Sequence, residues 1–327
     1  MYKADKSDNK KSRFQIYSEL NSLCKYWKGF PDTYFIFAMY RKDFTGMDRM
    51  RSFIPQCAYG PLSKSDNPSY NILIDDKLIF HELMSRYGLP VPVRYFSYRH
   101  GLFKSEGKMI SDAQVDEILA SLTDDRIFVK RSMCGCAKGV SLAIRKEDGY
   151  YTKEGKLLTA KSIREIMGNQ EYCFERQIVQ DEFMSKFNPD TVNTCRVLTY
   201  KDKVVACNMR IGRKGAFVDN AVKGGIVVSV DIDTGCLSDY GQRQYDPNKY
   251  YEHADSHIAF KGQVMPQWPA VKELVERTCK VLPYFNSVGF DVACTPEGPV
   301  IVEINTGTGV NASQMGMERG IADRFGL

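Results

Sequence analysis

The chain has 327 residues, 43% of them hydrophobic and 26% charged, which is long enough for two or three cores and too apolar for disorder to be the default. Its formal charge of +5 is mild, with Lys and Arg spread among acids, and this argues against a nucleic-acid binder built on a basic stripe. The longest apolar runs, FIFAM (35–39) and GGIVVSV (224–230), fall far short of the roughly 20 residues a membrane helix needs.

The chain opens on MYKADKSDNKKSR, polar and lysine-rich with no apolar stretch behind it. That pattern predicts a short flexible lead-in rather than a secretory signal. From Phe14 to Trp27 apolar residues recur at helical spacing and predict an amphipathic helix. GPLSKSDNPS (60–69) is turn-rich and predicts a loop. DDKLIFHELMSRYGLPVP (75–92) has an acidic start and helical spacing, and it stops at Gly88, Pro90 and Pro92. RIFVKRS (126–132) and SLAIRK (141–146) predict strands on either side of the glycine-containing MCGCAKGV, and EYCFERQIVQDEF (171–183) predicts a strand leaving into a connector. The pattern then turns to β. A hairpin over 193–212 folds around KDK, a second around DTG, and, after the helix WPAVKELVERTCKVL (268–282), a last one around TPEG. Strands in runs with scattered helices predict an α+β fold. The ten cysteines sit mostly alone, with CGC (134–136) the one close pair, and read as reduced thiols used as small hydrophobes in a cytoplasmic protein.

The last predicted strand ends IVEINTGTG (301–309). Side chains alternate along a strand, so Glu303 and Asn305 share a face, and folding back around TPEG brings Asp291 onto the neighbouring strand. Two carboxylates that close repel each other unless a cation lies between them. Oxygen donors without His or Cys select Mg2+ or Mn2+. In the bland alternative Asp291 caps a turn and Glu303 is solvated, but the apolar flanks would make an unpaired carboxylate costly. Lys130 ends its strand just before a flexible loop, where a lysine supplies a point charge for phosphates. Arg196 and Arg210 lie on successive strands of one hairpin with Asn193 nearby, and their planar forks suit phosphate and carboxylate. His253 and His257 stand four apart with no third ligand apparent, so zinc is not expected.

GFDVACTPEGPVIVEIN resembles the metal-binding hairpin of ATP-grasp enzymes. VNTCRVLTY, VDNAVKGGIVVSVDIDTG, FKGQVMPQW and then this hairpin, in that order, resemble the sugar-transfer-associated ATP-grasp family, which is related to α-L-glutamate ligases. The resemblance runs from about Asp75 to Gln314. It implies an α+β ATP-grasp fold with an N-terminal α/β lobe over 1–94, a lid lobe over 95–182 and a C-terminal lobe over 183–327, with ATP between the last two. It implies Asp291, Glu303 and Asn305 as ligands of Mg2+, with Mn2+ the alternative. Lys130, Lys77 and Lys138 would contact the ATP phosphates, Glu175 and Ile178 the adenine, and Asp181 or Glu182 the ribose. Arg196, Arg210 and Asn193 would hold the γ-phosphate and the acyl phosphate made from it, while His253, Asp219 and Asn220 would line the acceptor side. One departure stands out. Many peptide-forming ATP-grasp ligases carry an arginine two residues before the metal aspartate, and here that residue is Gly289. The implied activity is an ADP-forming carboxylate–amine ligation, joining an amino acid to a sugar acid or related carboxylate in surface-polysaccharide synthesis. The alternatives are a peptide ligase and a catalytically inactive nucleotide-binding partner of a glycan-assembly complex. Small-molecule carboxylates and amines are the expected partners, with a homodimer left open.

Overall fold

The first element of the computed structural model is helix α1 (Arg13–Trp27), which begins where the Ser12 hydroxyl accepts the Gln15 N–H and ends at Lys28 in the left-handed conformation, φ 53°. Residues 2, 5–64, 67–133, 139–215 and 224–327 are described. Lys138, Asp219, Asn220 and the CGC pair lie outside them. The chain forms two units, one of residues 1–68, 180–299 and 304–327, the other of 69–179 and 300–303.

In the first unit α1 buries Leu23, with Ile16, Leu20 and Trp27, in a cluster that holds Tyr34, Met39, Tyr40, Met50 and Phe53. Short helices α2 (Thr33–Ile36), α3 (Met47–Ser52) and α4 (Gln56–Ser63) follow. The loop expected over 60–69 starts late, because α4 runs through Gly60 and Pro61. Tyr59 packs edge-on to Phe325 at 5.6 Å and hydrogen-bonds Ser287 at 3.0 Å, and such tertiary packing overrides local propensity.

From Asp5 onward the lead-in expected to be flexible is docked. The Asp5 carboxylate accepts from Arg41 Nε at 2.8 Å, Tyr40 OH at 3.1 Å and the Ser7 N–H at 2.9 Å. Lys11 is buried and donates to Glu19 at 3.0 Å and to the carbonyls of Met39 at 2.8 Å and Phe44 at 2.7 Å. Among the described residues, 1–93 hold helices and one isolated bridge, Lys10–Arg41, where an α/β lobe was expected. The expectation of strands there came from the resemblance, and no alternating segment in that stretch supports it.

The second unit starts with α5 (Ile72–Asp75) and α6 (Lys77–Arg86), the latter capped by Asp76, whose carboxylate accepts the Leu78 and Ile79 N–H groups. Then come β1 (Arg94–Arg99), β2 (Leu102–Ser105), β3 (Lys108–Ile110), α7 (Asp112–Ser121), β4 (Arg126–Arg131), β5 (Val140–Lys146), β6 (Gly149–Tyr151), α8 (Ala160–Met167) and β7 (Glu171–Arg176). The strands form one antiparallel seven-stranded sheet in the order β3-β2-β1-β7-β4-β5-β6. Phe96, Ile127, Val129 and Phe174 pack in one cluster with Val115 and Leu119 of α7 and Ile163 and Met167 of α8. Alternation puts Ser97, Cys173, Lys130 and Glu175 on the opposite face, with Ser97 and Lys130 both in register with Cys173.

The chain returns to the first unit through α9 (Glu182–Ser185), β8 (Thr194–Tyr200), β9 (Lys203–Ile211), β10 (Ile226–Val230), β11 (Leu237–Gln242), α10 (Trp268–Val281), β12 (Gly289–Thr295), β13 (Gly298–Asn305) and α11 (Val310–Ser313). Six strands line up as β11-β10-β9-β8-β12-β13. Every hairpin predicted in this half forms. In addition β12 pairs with β8, placing Asp291 opposite Arg196.

Asp5→Asn removes the charge that Arg41 answers. Hydrogen bonds to charged groups contribute about 1.5–3 kcal/mol, so trypsin should cut at Lys6 and Lys10 about tenfold faster or more, with the far-ultraviolet circular dichroism unchanged.

Candidate functional site

β4 carries Lys130 to the end of its strand, and β7 brings Glu175 alongside. Lys130 Nζ donates to Glu175 Oε2 at 2.8 Å. Arg94, at the start of β1, reaches the other oxygen of Glu175 at 3.5 Å and the Lys77 carbonyl at 2.8 Å. Lys77, the first residue of α6, places Nζ 3.7 Å from Glu303 Oε1 and 3.5 Å from the Ser132 carbonyl. Three cations and two anions thus form one charged set in this unit. Burial would push the Glu175 carboxyl up, but Lys130 and Arg94 outweigh it and hold it at about 2. Burial opposes the charge of Lys130 too, and Glu175 more than restores it, so its pKa lies above the ordinary lysine value. Lys77, Lys130, Glu175 and Glu303 are brought together, and the Glu175 carboxylate faces Lys130 and Arg94. Arg94 was missed. The cue was an arginine directly after LPVPV, where a strand had to start once the prolines ended the helix.

Past β7, Ile178 is half-buried, and no described residue hydrogen-bonds its backbone. Asp181 is the N-cap of α9, accepting the Met184 N–H at 2.8 Å and Gln267 Nε2 at 2.9 Å. Glu182 is exposed.

In the other unit the Asp291 carboxylate is gripped by Arg196 through Nε at 2.5 Å and Nη2 at 2.8 Å, and by Arg210 Nη1 at 3.1 Å. Asn193 is fully buried, and its amide is taken up by protein groups. It donates to Gln180 Oε1 and to the carbonyls of Met184 and Asn188, and accepts the Gly212 N–H at 3.2 Å. The Gly212 carbonyl faces Nε2 of His253 at 3.1 Å. His253 is also fully buried. Its Nδ1 accepts the Ser256 N–H at 3.4 Å, which leaves the proton on Nε2. Burial lowers its pKa, so it stays neutral. Asp255 forks onto Arg213 at 2.8 and 2.8 Å and accepts the Lys214 N–H at 2.9 Å. Arg213 holds its carboxyl well below the usual carboxylate range. Asn193 and His253 together pin both polar groups of Gly212, two residues past Arg210. His257 is exposed and lies 3.0 Å from Glu252.

Among the described residues no three His, Cys, Asp or Glu side chains converge as a metal site. Three hydrogen bonds occupy Asp291, and a carboxylate offers about four lone-pair positions, so one remains. Asn305 Nδ2 is buried without a partner. An amide's oxygen and nitrogen are told apart by their partners, and the turned amide puts an oxygen at that point with no donor to meet it. β12 and β13, which carry these residues, are neighbours in the sheet. Such donors fit a hard divalent cation of the Mg2+ or Mn2+ kind.

The profile of the family described as sugar-transfer associated ATP-grasp matches residues 62–326. The chain belongs to that family. The fold of this sugar-transfer-associated ATP-grasp protein is the α+β ATP-grasp fold. A search of curated proteins gives no match. Among solved structures the chain is similar to the D-alanine–D-alanine ligase of Bacillus anthracis complexed with ATP, at 14% identity over 83% of this chain and 68% of that one, TM-score 0.42. It is similar to the ATP-grasp ligase PsnB complexed with precursor peptide PsnA2 and AMPPNP, at 14% identity over 75% of this chain and 54% of that one, TM-score 0.40. It is also similar to a RimK domain ATP-grasp protein of Sphaerobacter thermophilus, at 14% identity over 79% and 70%, TM-score 0.40. The chain thus spans about half the length of PsnB. Among its described residues no helix is long and apolar enough to cross a membrane.

In this sugar-transfer-associated ATP-grasp protein Gly289 is packed with no room for a side chain. A Cβ on Gly289 would lie 2.2 Å from Thr308 Oγ1 and 2.9 Å from its Cγ2. Thr308 is buried, and its hydroxyl donates to the Asn305 carbonyl at 3.2 Å. Arg196, directly across from Asp291, brings a guanidinium to the aspartate from the neighbouring strand instead.

Glu175→Gln leaves Lys130 and Arg94 buried without their counter-charge and should cost about 3–5 kcal/mol in urea unfolding at neutral pH. The folded pKa lies below the unfolded value of about 4.3, so this contribution is present above that value and lost as pH falls toward 2. The gap between wild type and variant should therefore narrow between pH 5 and pH 2, and a constant gap would refute the assignment. Gly289→Ala should destabilise by about 1–3 kcal/mol through overpacking, and adding Thr308→Ala should recover part of that loss in the same measurement.

Proposed function

We propose that this chain is an ATP-dependent, ADP-forming carboxylate–amine ligase that works through an acyl phosphate. The observation that carries the reading is the Asp291 carboxylate, held by guanidiniums from two strands with a lone-pair position left over. A carboxylate fixed in this way is preorganised, and preorganised charge is what phosphoryl transfer needs. Family membership supplies the nucleotide.

In this reading Lys77 and Lys130 meet the phosphates, and the unengaged backbone of Ile178 meets the adenine edge. Glu182, exposed where Asp181 is committed to its cap, suits the ribose hydroxyls better than Asp181 does. Asp291, Glu303 and Asn305 would hold Mg2+, which neutralises charge on the transferred phosphoryl group when bound. Arg196 and Arg210 give up part of their grip on Asp291 to the γ-phosphate and then to the acyl phosphate. Asn193 acts through Gly212 by fixing the end of β9. The amine displaces phosphate from the acyl phosphate, forming the amide, and no protein nucleophile takes part. As substrates we propose an amino acid and a sugar acid or related carboxylate of a surface polysaccharide, made in the cytoplasm; the family description and the resemblance support this.

A coupled assay of ADP release over panels of carboxylates and amines tests the proposal. ADP should appear only with a carboxylate, and Glu303→Gln should slow it by about 100-fold or more. Release of AMP and pyrophosphate would rule out the acyl phosphate. ATP binding without carboxylate-dependent ADP release would favour the nucleotide-binding partner instead.

A further inference from the structure

The core-facing side of α1 is Ile16, Leu20, Leu23 and Trp27. The opposite side is the stripe Phe14, Tyr17, Ser18, Asn21 and Lys25, at the i, i+3, i+4, i+7 and i+11 spacing of one helical face. All five are exposed. Phe14 is 83% exposed and Tyr17 70%, so two aromatic rings stand where the fold gives them nothing to pack against. The charge of this segment of the chain is one-sided. Residues 1–30 carry seven Lys and Arg against three Asp and Glu, a net +4 of the chain's +5. The helix has one acid, Glu19, and it is tied to Lys11 and Tyr34. Arg13, Lys25 and Lys28 are exposed and form no salt bridge among the described residues.

We propose that the outer face of α1 is a docking surface for an anionic lipid headgroup layer. Two rings and Lys25 on one exposed helical face, with Arg13 and Lys28 at the two helix ends, suit an interface in which the rings enter the headgroup–acyl boundary while the cations stay with the phosphates. The charge also decides against a second copy of the chain, because two such faces would set cation against cation. A nucleic acid would meet the cations, but the chain lacks the basic stripe such a partner needs, with the other 297 residues at net +1.

Co-sedimentation of the full chain with phosphatidylcholine vesicles, with and without phosphatidylglycerol, tests this. The chain should partition only into the vesicles that contain phosphatidylglycerol, less so as salt rises. Phe14→Ser with Tyr17→Ser should weaken partitioning by about tenfold or more, and Lys25→Gln by about fivefold. All three side chains are exposed, so thermal unfolding should not change, and Lys25→Gln leaves the helix face otherwise intact if the double variant loses stability. No partitioning, equal partitioning into both vesicles, insensitivity to these variants, tighter binding to a single-stranded oligonucleotide, or a dimer abolished by Phe14→Ser would each overturn the proposal.

Discussion

Charge taken out of water must be met by opposite charge, and the candidate site is organised around that requirement. Lys130 and Glu175 sit side by side because antiparallel pairing of β4 with β7 leaves them on the face away from the aromatic core. Arg94 supplies the further positive charge. In the other unit the pairing of β12 with β8 puts Asp291 opposite Arg196, with Arg210 one strand further on. Buried ion pairs of this sort contribute little net stability compared with apolar residues of the same volume. Their worth lies elsewhere, in holding long side chains in a single orientation.

The legible half of the fold was the half with clean periodicity. From 126 onward, strands such as RIFVKR and KVVACNMRI alternate or run apolar for long enough to be recognised, and the turns KDK, DTG and TPEG mark their ends. The β1–β3 meander went unrecognised because KMI and LFKS are too short to show a period and RYFSYR buries four residues in a row. Helices α7 and α8 carried signals that went unused. Ser111 with Gln114 and Thr159 with Ser162 are reciprocal caps at helix starts. The docked lead-in was beyond local reasoning altogether. Lys11 finds its acceptors 8, 28 and 33 residues away, and composition alone gives no hint of such distant partners.

The candidate site divides in the same way. Spacing alone singled out Asp291, Glu303 and Asn305, because strand alternation is a local rule. Which groups those side chains would meet depended on strand order, and so the arginine grip on Asp291 could not be anticipated. Between Asp181 and Glu182, left open for the ribose, the sequence held an unused cue, because an aspartate three residues before Met184 at the start of a short helical stretch is readable as the cap it forms. The resemblance implies that His253 lines the acceptor side and says nothing of its burial. The residue is a neutral buried ring that fixes one peptide. Histidine exposure is not written in its neighbours, and here it follows from how 253–258 folds back on itself.

The close fit of Gly289 against Thr308 constrains how such a protein can drift. The two residues stand 19 positions apart in the chain, yet a side chain can be added at 289 without strain only after Thr308 has shed its branch. An arginine at 289 is open only to a chain already altered at 308, and Arg196 meanwhile serves the Asp291 carboxylate from the neighbouring strand.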